Sequence, residues 1–432
     1  MGLNDTPKGE RIYIALFGKR NAGKSSLINA ITNQQIAIVS EVKGTTTDPV
    51  YKAMELLPLG PVMMIDTPGL DDEGALGGQR MEKTMEVLQK TDIALLVMDT
   101  ETYLIEKQEH LDGKRDTLLL EEKKILKLIQ ERNIPYLIVW NKIDLLENPD
   151  DGTSSSMKRL EEDIQSELGI KKDTVYAVST ITNDGIYMLK EAIARQLPNM
   201  EEKLCLVADL LQPSDFVVLV VPIDKAAPKG RLILPQQQTI RDILEADANA
   251  VVTKENELKE TLKHLSKKPK MVITDSQVFA QVSADTPKDV YLTSFSILMA
   301  RYKGDLTNLV KGAFAVEKLK DGDKILMAEG CTHHRQCDDI GTVKIPRWLS
   351  KYTGTKLIFE TSSGNGYPKD LSEYAMIVHC GGCMLNRKEV KYRMAKAEEQ
   401  GIPIVNYGIL IAYMQGILER SIQMFPEVLE CV

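Results

Sequence analysis

Four of the six cysteines lie close together in the last third of the chain. Three of the five histidines accompany them, and the group comprises Cys331, His333, His334, Cys337, His379, Cys380 and Cys383. Thiolates and imidazoles are the usual ligands of zinc, and thiolates are those of iron–sulfur clusters. Six cysteines are too few in 432 residues for a disulfide framework. The clustering therefore predicts a metal site.

The spacing of these residues, C-x-H followed by H-C-x-x-C, fits two kinds of metal site. Zinc would take four closed ligands, from Cys331, Cys380 and Cys383 with a histidine or Cys337 as the fourth. An iron–sulfur cluster would use the same three thiolates and a weaker or exchangeable fourth ligand. The candidates for that fourth position are His333, Cys337, Asp338 and His379. Spacing alone leaves both metals open, and buried thiols without metal are the third alternative.

A phosphate-binding loop is predicted near the start of the chain. Gly18-Lys-Arg-Asn-Ala-Gly23-Lys24-Ser25 fits the pattern G-x-x-x-x-G-K-S/T, and it lies between a predicted strand and a predicted helix. The glycines let backbone N–H groups surround the phosphates, Lys24 reaches the β and γ oxygens, and the Ser25 hydroxyl binds Mg²⁺. The residues expected to contact the nucleotide here are Gly18, Asn21, Ala22, Gly23, Lys24, Ser25 and Ser26.

Three further motifs follow apolar runs in the order that a guanine-nucleotide site requires. Asp66-Thr-Pro-Gly69 can hold the Mg²⁺ shell and sense the γ-phosphate, and Asn141-Lys142-Ile143-Asp144 offers a carboxylate to the N1–H and amine of guanine. Ser179 and Thr180 follow a further strand, where a backbone amide can meet guanine O6. Because ligands bind at the carboxyl ends of strands in such sheets, the motifs are jointly strong. Residues 8–197 therefore resemble a translation-factor-type GTPase domain.

Two details concern how hydrolysis would be assisted. Leu70 follows Gly69, where many small GTPases have a glutamine that orients water, and a leucine cannot do so. Asn21 together with the segment 44–48 (GTTTD) resembles the potassium-activated branch of these GTPases, in which the asparagine helps to hold K⁺ beside the phosphates. Relatives of that branch often read Gly-Thr-Thr-Arg-Asp, so Thr47 departs from the pattern. The predicted catalytic residues are Lys24, Asn21 and Thr46, and the predicted Mg²⁺ ligands are Ser25, Thr46 and Asp66. A loop hydrogen bond is the alternative role for Asn21.

Apolar runs separated by helical stretches predict an α/β protein with three domains. Residues 1–198 are expected to form a doubly wound, mostly parallel sheet, with strands at residues 11–18, Val62–Ile65, Ile93–Met98, Tyr136–Val139 and Val175–Val178. A small α/β unit at 199–275 has predicted strands at Phe216–Ile223, Ala250–Thr253 and Met271–Thr274. The third domain, 276–432, has predicted strands at Lys324–Ala328, Ala375–Val378 and Ile402–Val405. Cysteines follow two of these last strands closely, so the two cysteine segments can converge if those strands are neighbours.

Composition and charge exclude some classes of function. Lys and Arg number 54 against 62 Asp and Glu, a formal net charge of −8, and nucleic-acid phosphates require clustered cations. We therefore expect no nucleic-acid partner. The longest apolar run, Phe216–Pro222, is far shorter than the ~18 residues of a membrane helix, and the N-terminus shows no export signal. The expected location is cytoplasmic, without a membrane partner.

The complete arrangement resembles the HydF family, the maturation GTPases of [FeFe]-hydrogenase. The resemblance rests on the GTPase motifs, the domain order and the motif C-x-H…H-C-x-x-C. It implies a [4Fe-4S] cluster on Cys331, Cys380 and Cys383, and a middle domain that forms a homodimer. It also implies a scaffold and carrier that receives a diiron precursor from the radical-SAM enzymes HydE and HydG and delivers it to the apo-hydrogenase HydA. GTP, GDP, Mg²⁺ and K⁺ would be its other ligands, and the nucleotide state would time the exchange of partners.

Two other functions share part of this pattern. A GTPase of RNA modification or ribosome assembly with a structural zinc domain would share residues 8–197, but it would need a basic face that the negative charge argues against. An iron–sulfur redox enzyme regulated by GTP would need acid–base residues near the cluster, and none stand out in the sequence.

Overall fold

The computed structural model describes residues 6–32, 48–69, 75–146, 153–196, 205–223, 232–330, 339–364 and 366–430. The chain divides into two compact units, Met1–Glu202 and Lys203–Val432. Three predicted features lie outside the described residues: the predicted Mg²⁺ ligand Thr46, Leu70, and the segment 331–338 with Cys331, His333, Cys337 and Asp338.

A six-stranded sheet forms the centre of the first unit, in the order β2-β3-β1-β4-β5-β6. Neighbouring strands are parallel, except that β2 pairs antiparallel with β3. The strands are β1 (Ile12–Phe17), β2 (Val50–Leu56), β3 (Gly60–Asp66), β4 (Ile93–Asp99), β5 (Tyr136–Asn141) and β6 (Val175–Ala177). The helices are α1 (Lys24–Thr32), α2 (Ala75–Leu88), α3 (Thr100–Leu111), α4 (Leu120–Glu131), α5 (Thr153–Leu168) and α6 (Ile186–Gln196). The predicted doubly wound, mostly parallel sheet is confirmed.

Both faces of this sheet are covered by helices. Along β1, Ala15 and Phe17 belong to one apolar cluster, whereas Ile14 and Leu16 belong to another. Successive side chains of a strand point to opposite faces, so the two clusters lie on opposite sides of the sheet. This double burial explains why the central strands read as unbroken apolar runs.

The second unit contains two four-stranded sheets. The first has the order β10-β9-β7-β8 and is parallel throughout. Its strands are β7 (Phe216–Val220), β8 (Asn249–Thr253), β9 (Met271–Thr274) and β10 (Tyr291–Ser294). The accompanying helices are α7 (Leu234–Glu245), α8 (Leu258–His264), α9 (Phe279–Asp285) and α10 (Phe295–Lys303).

The second sheet of this unit has the order β12-β11-β13-β14 and is also parallel. Its strands are β11 (Lys324–Glu329), β12 (Ile358–Ser363), β13 (Met376–His379) and β14 (Ile404–Asn406). The helices are α11 (Leu306–Ala313), α12 (Ile345–Thr353), α13 (Arg387–Glu399), α14 (Tyr407–Met414), α15 (Leu418–Ile422) and α16 (Pro426–Leu429). The strands that precede the two cysteine segments, β11 and β13, are neighbours.

The predicted domain boundary at 275/276 falls inside the first sheet of the second unit. It follows β9 directly, and β10 pairs with β9 from Tyr291 to Ser294. A division there would separate β10 from its neighbour β9. The sequence did not reveal β10, because its apolar run is too short to be recognised as a strand. One apolar cluster extends through both sheets, from Leu206 to Val428. Within the described ranges, no helix combines the length and apolar character needed to cross a membrane.

Candidate functional site

The phosphate loop, Gly18–Ser25, connects β1 to α1 and folds its lysine back over its own backbone. Lys24 Nζ donates to the carbonyl oxygens of Gly18 at 2.9 Å and Lys19 at 2.7 Å. At Gly23, φ is +88°, and a Cβ would lie 2.1 Å from Asn141 Nδ2, so the position requires glycine. The ammonium is thus held at the N-terminus of α1, where nucleotide phosphates bind. Of the other loop residues, Ala22 is buried and Ser26 is half-buried.

Two of the predicted Mg²⁺ ligands, Ser25 and Asp66, meet where the loop approaches the end of β3. Ser25 Oγ donates a hydrogen bond to a carboxylate oxygen of Asp66. The two residues meet because β1 and β3 are neighbours, with Leu16 paired to Asp66. A hydroxyl beside a carboxylate suits the hard cation Mg²⁺. Gly69 is half-buried after β3, and the third predicted ligand, Thr46, lies outside the described residues.

Asn141 connects the base-binding motif to the phosphate loop. It is fully buried at the end of β5, and its Nδ2 donates to Ala22 O at 3.0 Å. Lys142 adopts a left-handed backbone with φ +62°, and its Nζ lies 3.4 Å from Asp99 Oδ1 at the end of β4. The motif is therefore anchored on both the loop and a neighbouring strand.

Asp144 is oriented by a serine from the next strand end. Its Oδ1 accepts a hydrogen bond from Ser179 Oγ at 2.6 Å. Ser179 is fully buried, and its Oγ also accepts from the backbone N–H groups of Ile181 at 3.2 Å and Thr182 at 3.1 Å. Thr180 is half-buried in the same turn. A carboxylate fixed in this way can accept the two adjacent N–H groups of guanine, a pair that adenine lacks.

Asn21 is exposed in the phosphate loop and has a left-handed backbone, with φ +59°. Asparagine is one of the few residues other than glycine that tolerates this region. The backbone alone therefore gives a reason for asparagine here, and its contact with K⁺ stays a prediction.

An ion cluster beside the loop was not predicted from the sequence. Lys19 Nζ lies 2.5 Å from Glu106 Oε1 and 3.1 Å from Glu122 Oε1, and Arg115 Nη1 lies 3.4 Å from Glu106 Oε1. Burial opposes the charge of Lys19, but the two carboxylates prevail and raise its pKa above the usual 10.5. Burial raises the pKa of Glu122 above its usual 4.5, and Lys19 partly offsets this. The cluster fixes the loop residue whose carbonyl accepts from Lys24.

A sequence signal for this cluster does exist. Glu122 belongs to the buried stripe of α4, together with Ile125, Leu126 and Ile129. A carboxylate at a position of the apolar stripe needs a buried partner. The identity of that partner could not be read from the sequence, because Lys19 belongs to a distant motif.

The cysteine site lies at the carboxyl ends of β11 and β13. These strands are parallel neighbours, with Ala328 paired to His379. Cys380 follows β13 directly, and its Sγ accepts the backbone N–H of Gly330 at 3.0 Å and of Gly382 at 3.4 Å. Gly330 is the last described residue before Cys331. The chain thus approaches Cys380 at the point where the other cysteine segment begins.

The surroundings of the two described thiols suit a soft metal. Burial raises the pKa of Cys380, against the N–H groups of Gly330 and Gly382, which favour the thiolate. Burial also raises the pKa of Cys383, to about 11. A metal that replaces both protons would gain buried thiolate ligands supported by N–H groups, which fits zinc or iron–sulfur chemistry. Among the described residues, no three His, Cys, Asp or Glu side chains form a metal-binding group. Cys331 lies outside the described residues, so that absence does not extend to it.

His379 has both ring nitrogens directed at protein groups. Nδ1 lies 2.6 Å from Cys380 O, and Nε2 lies 3.4 Å from Nη1 of Arg393, which is itself buried. Burial, reinforced by Arg393, lowers the pKa of His379 to about 4, so the imidazole is neutral. To act as a fourth metal ligand, His379 would have to release one of these contacts.

Three family models match the chain in sequence order. Residues 13–142 match a model described as 50S ribosome-binding GTPase. Residues 206–304 match the hydrogen maturase F dimerization domain, and residues 307–424 match the hydrogen maturase F tetramerization domain. The division between the last two follows α10, so it leaves the sheet of β7 to β10 intact. The predicted GTPase and dimerisation domains both have a match, whereas a tetramerisation domain was not expected.

Two similar relatives each match less than half of the chain. GTPase Der of Wolinella succinogenes is 29% identical over 197 residues, which are 45% of this chain and 37% of the relative. The tRNA modification GTPase MnmE of Thermotoga petrophila is 31% identical over 193 residues, 44% of this chain and 36% of the relative. The chain therefore spans little more than a third of the length of these relatives.

Solved structures give a weaker similarity. A variant of Aquifex aeolicus Era bound to GDP and AlF4⁻ has a TM-score of 0.32 and 15% identity, covering 82% of this chain and 92% of that chain. The FeoB G-domain from Methanococcus jannaschii has a TM-score of 0.29 and 21% identity, covering 43% of this chain and 97% of that chain.

The family assignment rests on the family models. The two hydrogen maturase F models together take up residues 206–424 almost without interruption, and a GTPase domain precedes them. The chain therefore belongs to the hydrogen maturase F (HydF) family.

Proposed function

We propose that this chain is a GTP-hydrolysing scaffold that binds a [4Fe-4S] cluster and carries the diiron precursor of the hydrogenase active site. In this proposal, HydE and HydG build the precursor with its CO, CN⁻ and dithiolate ligands, and HydA in its apo form receives it. The observation that carries the proposal is the contact between Gly330 and Cys380, in a chain that belongs to the HydF family. That contact supports a site in which Cys331 joins Cys380 and Cys383.

The nucleotide site supports the hydrolytic part of the proposal. Lys24 lies where it would neutralise the β and γ oxygens, and Ser25 with Asp66 would hold Mg²⁺. Because Leu70 cannot orient water, we infer that K⁺ at Asn21 assists hydrolysis, with Thr46 contacting Mg²⁺. Asp144, oriented by Ser179, would select guanine.

The cysteine site supports the carrier part. When bound to three thiolates, the cluster supplies one iron with an exchangeable position for a ligand of the cargo. This chain would orient the Cys380 thiolate through the N–H groups of Gly330 and Gly382. The fourth ligand would come from His333, Cys337, Asp338 or His379, and a weakly held ligand suits a carrier because the position must reopen.

Nucleotide hydrolysis would act as a timer for partner exchange. The segments 45–47 and 70–78 are those whose conformation would follow the nucleotide state. A homodimer formed through residues 206–304 would carry two cargo sites. We expect the affinity for HydE, HydG or HydA to differ between the GDP form and the form bound to a non-hydrolysable GTP analogue. Equal affinities for all three partners would refute the timer.

The test of the proposed function is metal analysis of the full-length protein purified and reconstituted without oxygen. Iron, sulfide and zinc are measured, and the dithionite-reduced protein is examined by EPR. The variants are Cys331→Ala, Cys380→Ala and Cys383→Ala. Cys205→Ala is the matched control, because Cys205 lies outside the motif.

We expect about four irons per chain with matching sulfide and a [4Fe-4S] signal. Each of the three variants should lose this signal, and the control should keep it. CO and CN⁻ infrared bands after co-expression with HydE and HydG would then test the cargo. One zinc and no iron after reconstitution would reject the carrier and favour a GTPase with a structural zinc domain.

A further inference from the structure

One buried lysine donates hydrogen bonds to three backbone carbonyls of the cysteine loop, residues 380–385. Lys303 ends α10 and is 1% exposed. Its Nζ lies 2.8 Å from Leu385 O, 3.1 Å from Cys383 O and 3.4 Å from Gly382 O. An ammonium has three N–H donors, and all three of these carbonyls lie within their reach.

The lysine and the loop come from different parts of the unit. Lys303 lies at the end of the segment that matches the dimerization model, whereas the loop belongs to the segment that matches the tetramerization model. About eighty residues separate them in sequence. The contact therefore fixes the loop from outside its own sheet.

The same loop directs an N–H group at sulfur. The Gly382 N–H donates to Cys380 Sγ at 3.4 Å. In a trans peptide unit, the carbonyl and the N–H point in opposite directions. The carbonyls of Gly382 and Cys383, held by Lys303, belong to the peptide units of the Cys383 and Met384 N–H groups. Lys303 thus fixes the two peptide units that follow the Gly382 donor, and with them the orientation of the Cys383 and Met384 N–H groups.

We propose that Lys303 is a positioning residue of the cysteine site, which holds residues 382–385 in their observed conformation and places a buried positive charge next to the backbone of Cys383. This inference rests on the proposed binding of a cluster. Hydrogen bonds to sulfur and a nearby cation both favour the more negative, reduced form of a cluster. Lys303 therefore raises the reduction potential of the bound cluster and slows its loss.

The experiment compares full-length wild type with Lys303→Met and Lys303→Arg. Methionine keeps the apolar length but removes the donors and the charge, whereas arginine keeps the charge with a different donor geometry. Lys311→Met is the matched control, because Lys311 is an exposed lysine of the neighbouring helix α11. Circular dichroism and thermal unfolding establish that each variant is folded.

The first readout is hydrogen exchange of the amides of residues 381–386 in the protein without metal. We expect exchange at least about tenfold faster in Lys303→Met, and no change in Lys311→Met. Unchanged exchange in Lys303→Met would overturn the positioning role. If Lys303→Met does not fold, Lys303→Arg is the test of the positioning role. The planar guanidinium cannot place three N–H donors where the single ammonium nitrogen places them. The amides of the loop should therefore again exchange faster than in wild type.

The second readout is the cluster after anaerobic reconstitution. In Lys303→Met we expect a more negative midpoint potential, measured by EPR-monitored titration, and iron loss to a chelator about tenfold faster or more. Lys303→Arg should shift the potential less, since it retains the charge. A wild-type potential together with wild-type iron loss in Lys303→Met would overturn the inference.

The two proposals fail in different ways. If wild type binds no iron, the proposed carrier function is rejected, and hydrogen exchange still decides whether Lys303 holds the loop. If wild type binds a [4Fe-4S] cluster and Lys303→Met matches it in exchange, potential and iron loss, only the role of Lys303 is rejected.

Discussion

The backbone N–H of Gly330 donates a hydrogen bond to Cys380 Sγ at 3.0 Å, and this contact links the residue before Cys331 to a cysteine 50 positions further along the chain. It exists because β11 and β13 run parallel as neighbours and end at the same edge of their sheet. A Cβ at Gly330 would lie 2.7 Å from Leu385 Cγ, so a larger residue could not approach the cysteine loop as closely. The sheet topology thus brings Gly330 and the cysteine loop together.

The two glycines between Cys380 and Cys383 are expected to differ in their tolerance of substitution. Gly382 has φ +63°, and a Cβ there would lie 3.1 Å from Val390 Cγ2. At Gly381 the nearest atom would be Ser296 Oγ at 3.9 Å, an ordinary contact. A left-handed backbone costs an L-residue about 1–2 kcal/mol. Gly382→Ala should lower the free energy of unfolding in urea by about that amount, and Gly381→Ala by less than about 0.5 kcal/mol. Equal losses would contradict this assignment.

The sequence predicts best the strands that are buried on both faces. β4 is buried at all 7 positions, and its apolar run predicts the strand at Ile93–Met98, one residue shorter than the observed Ile93–Asp99. β2 is an edge strand with exposed Val50 and Tyr51, so it has no such signal and was not predicted. β10 has only 4 residues and belongs to its sheet through pairing with β9, which sequence periodicity does not report.

The same distinction applies to the sites. Lys24 and Asp144 belong to motifs whose chemistry depends on local spacing, and such motifs can be read directly. Lys19 and Lys303 act through partners that are distant in sequence, namely buried carboxylates and loop carbonyls. Their roles depend on tertiary packing, so the sequence shows only an ordinary lysine at each position.

Removal of the Lys19 ammonium is expected to destabilise the GTPase unit in a pH-dependent way. Lys19→Met leaves Glu106 and Glu122 buried near one guanidinium, and breaking such a pair costs about 3–5 kcal/mol. The pKa of Lys19 is raised, so its stabilising contribution is complete below its usual 10.5 and is lost only as the pH rises above that. In the variant, Glu122 has lost the ammonium that lowers its pKa, so it takes up a proton more readily as the pH falls, which reduces the loss. Urea unfolding at about pH 5 and about pH 8 should show the larger loss at the higher pH.

Glu122→Gln provides the opposite trend as a control. Because burial raises the pKa of Glu122, its ionisation disfavours the folded state as the pH rises through the raised pKa. The advantage of wild type over Glu122→Gln should therefore shrink with rising pH, while its advantage over Lys19→Met grows. Parallel pH trends for the two variants would show that the effect of the buried carboxylates on stability does not depend on Lys19.

Ser179→Ala is expected to weaken guanine-nucleotide binding. The substitution removes the hydrogen bond to Asp144 and leaves the N–H groups of Ile181 and Thr182 without their acceptor. A loss of about 1–2 kcal/mol corresponds to a guanine-nucleotide affinity about 5- to 30-fold lower, for GDP as for GTP. Titration with a fluorescent GDP analogue measures this effect. Thr182→Ala is the control from the same turn, since its exposed hydroxyl bonds Asp184 instead, and a similar loss there would assign the effect to the turn as a whole.

Asn21→Gly is expected to abolish potassium stimulation while it preserves nucleotide binding. Glycine adopts the left-handed backbone of Asn21 without strain, so the substitution removes the side-chain amide alone. GTP affinity should stay within about threefold of wild type, whereas the ratio of hydrolysis rates in KCl and NaCl should fall to about one. Phosphate release in salts of matched ionic strength measures that ratio. Stimulation that persists in Asn21→Gly would place the cation away from this side chain, and equal rates for wild type in both salts would remove potassium from the mechanism.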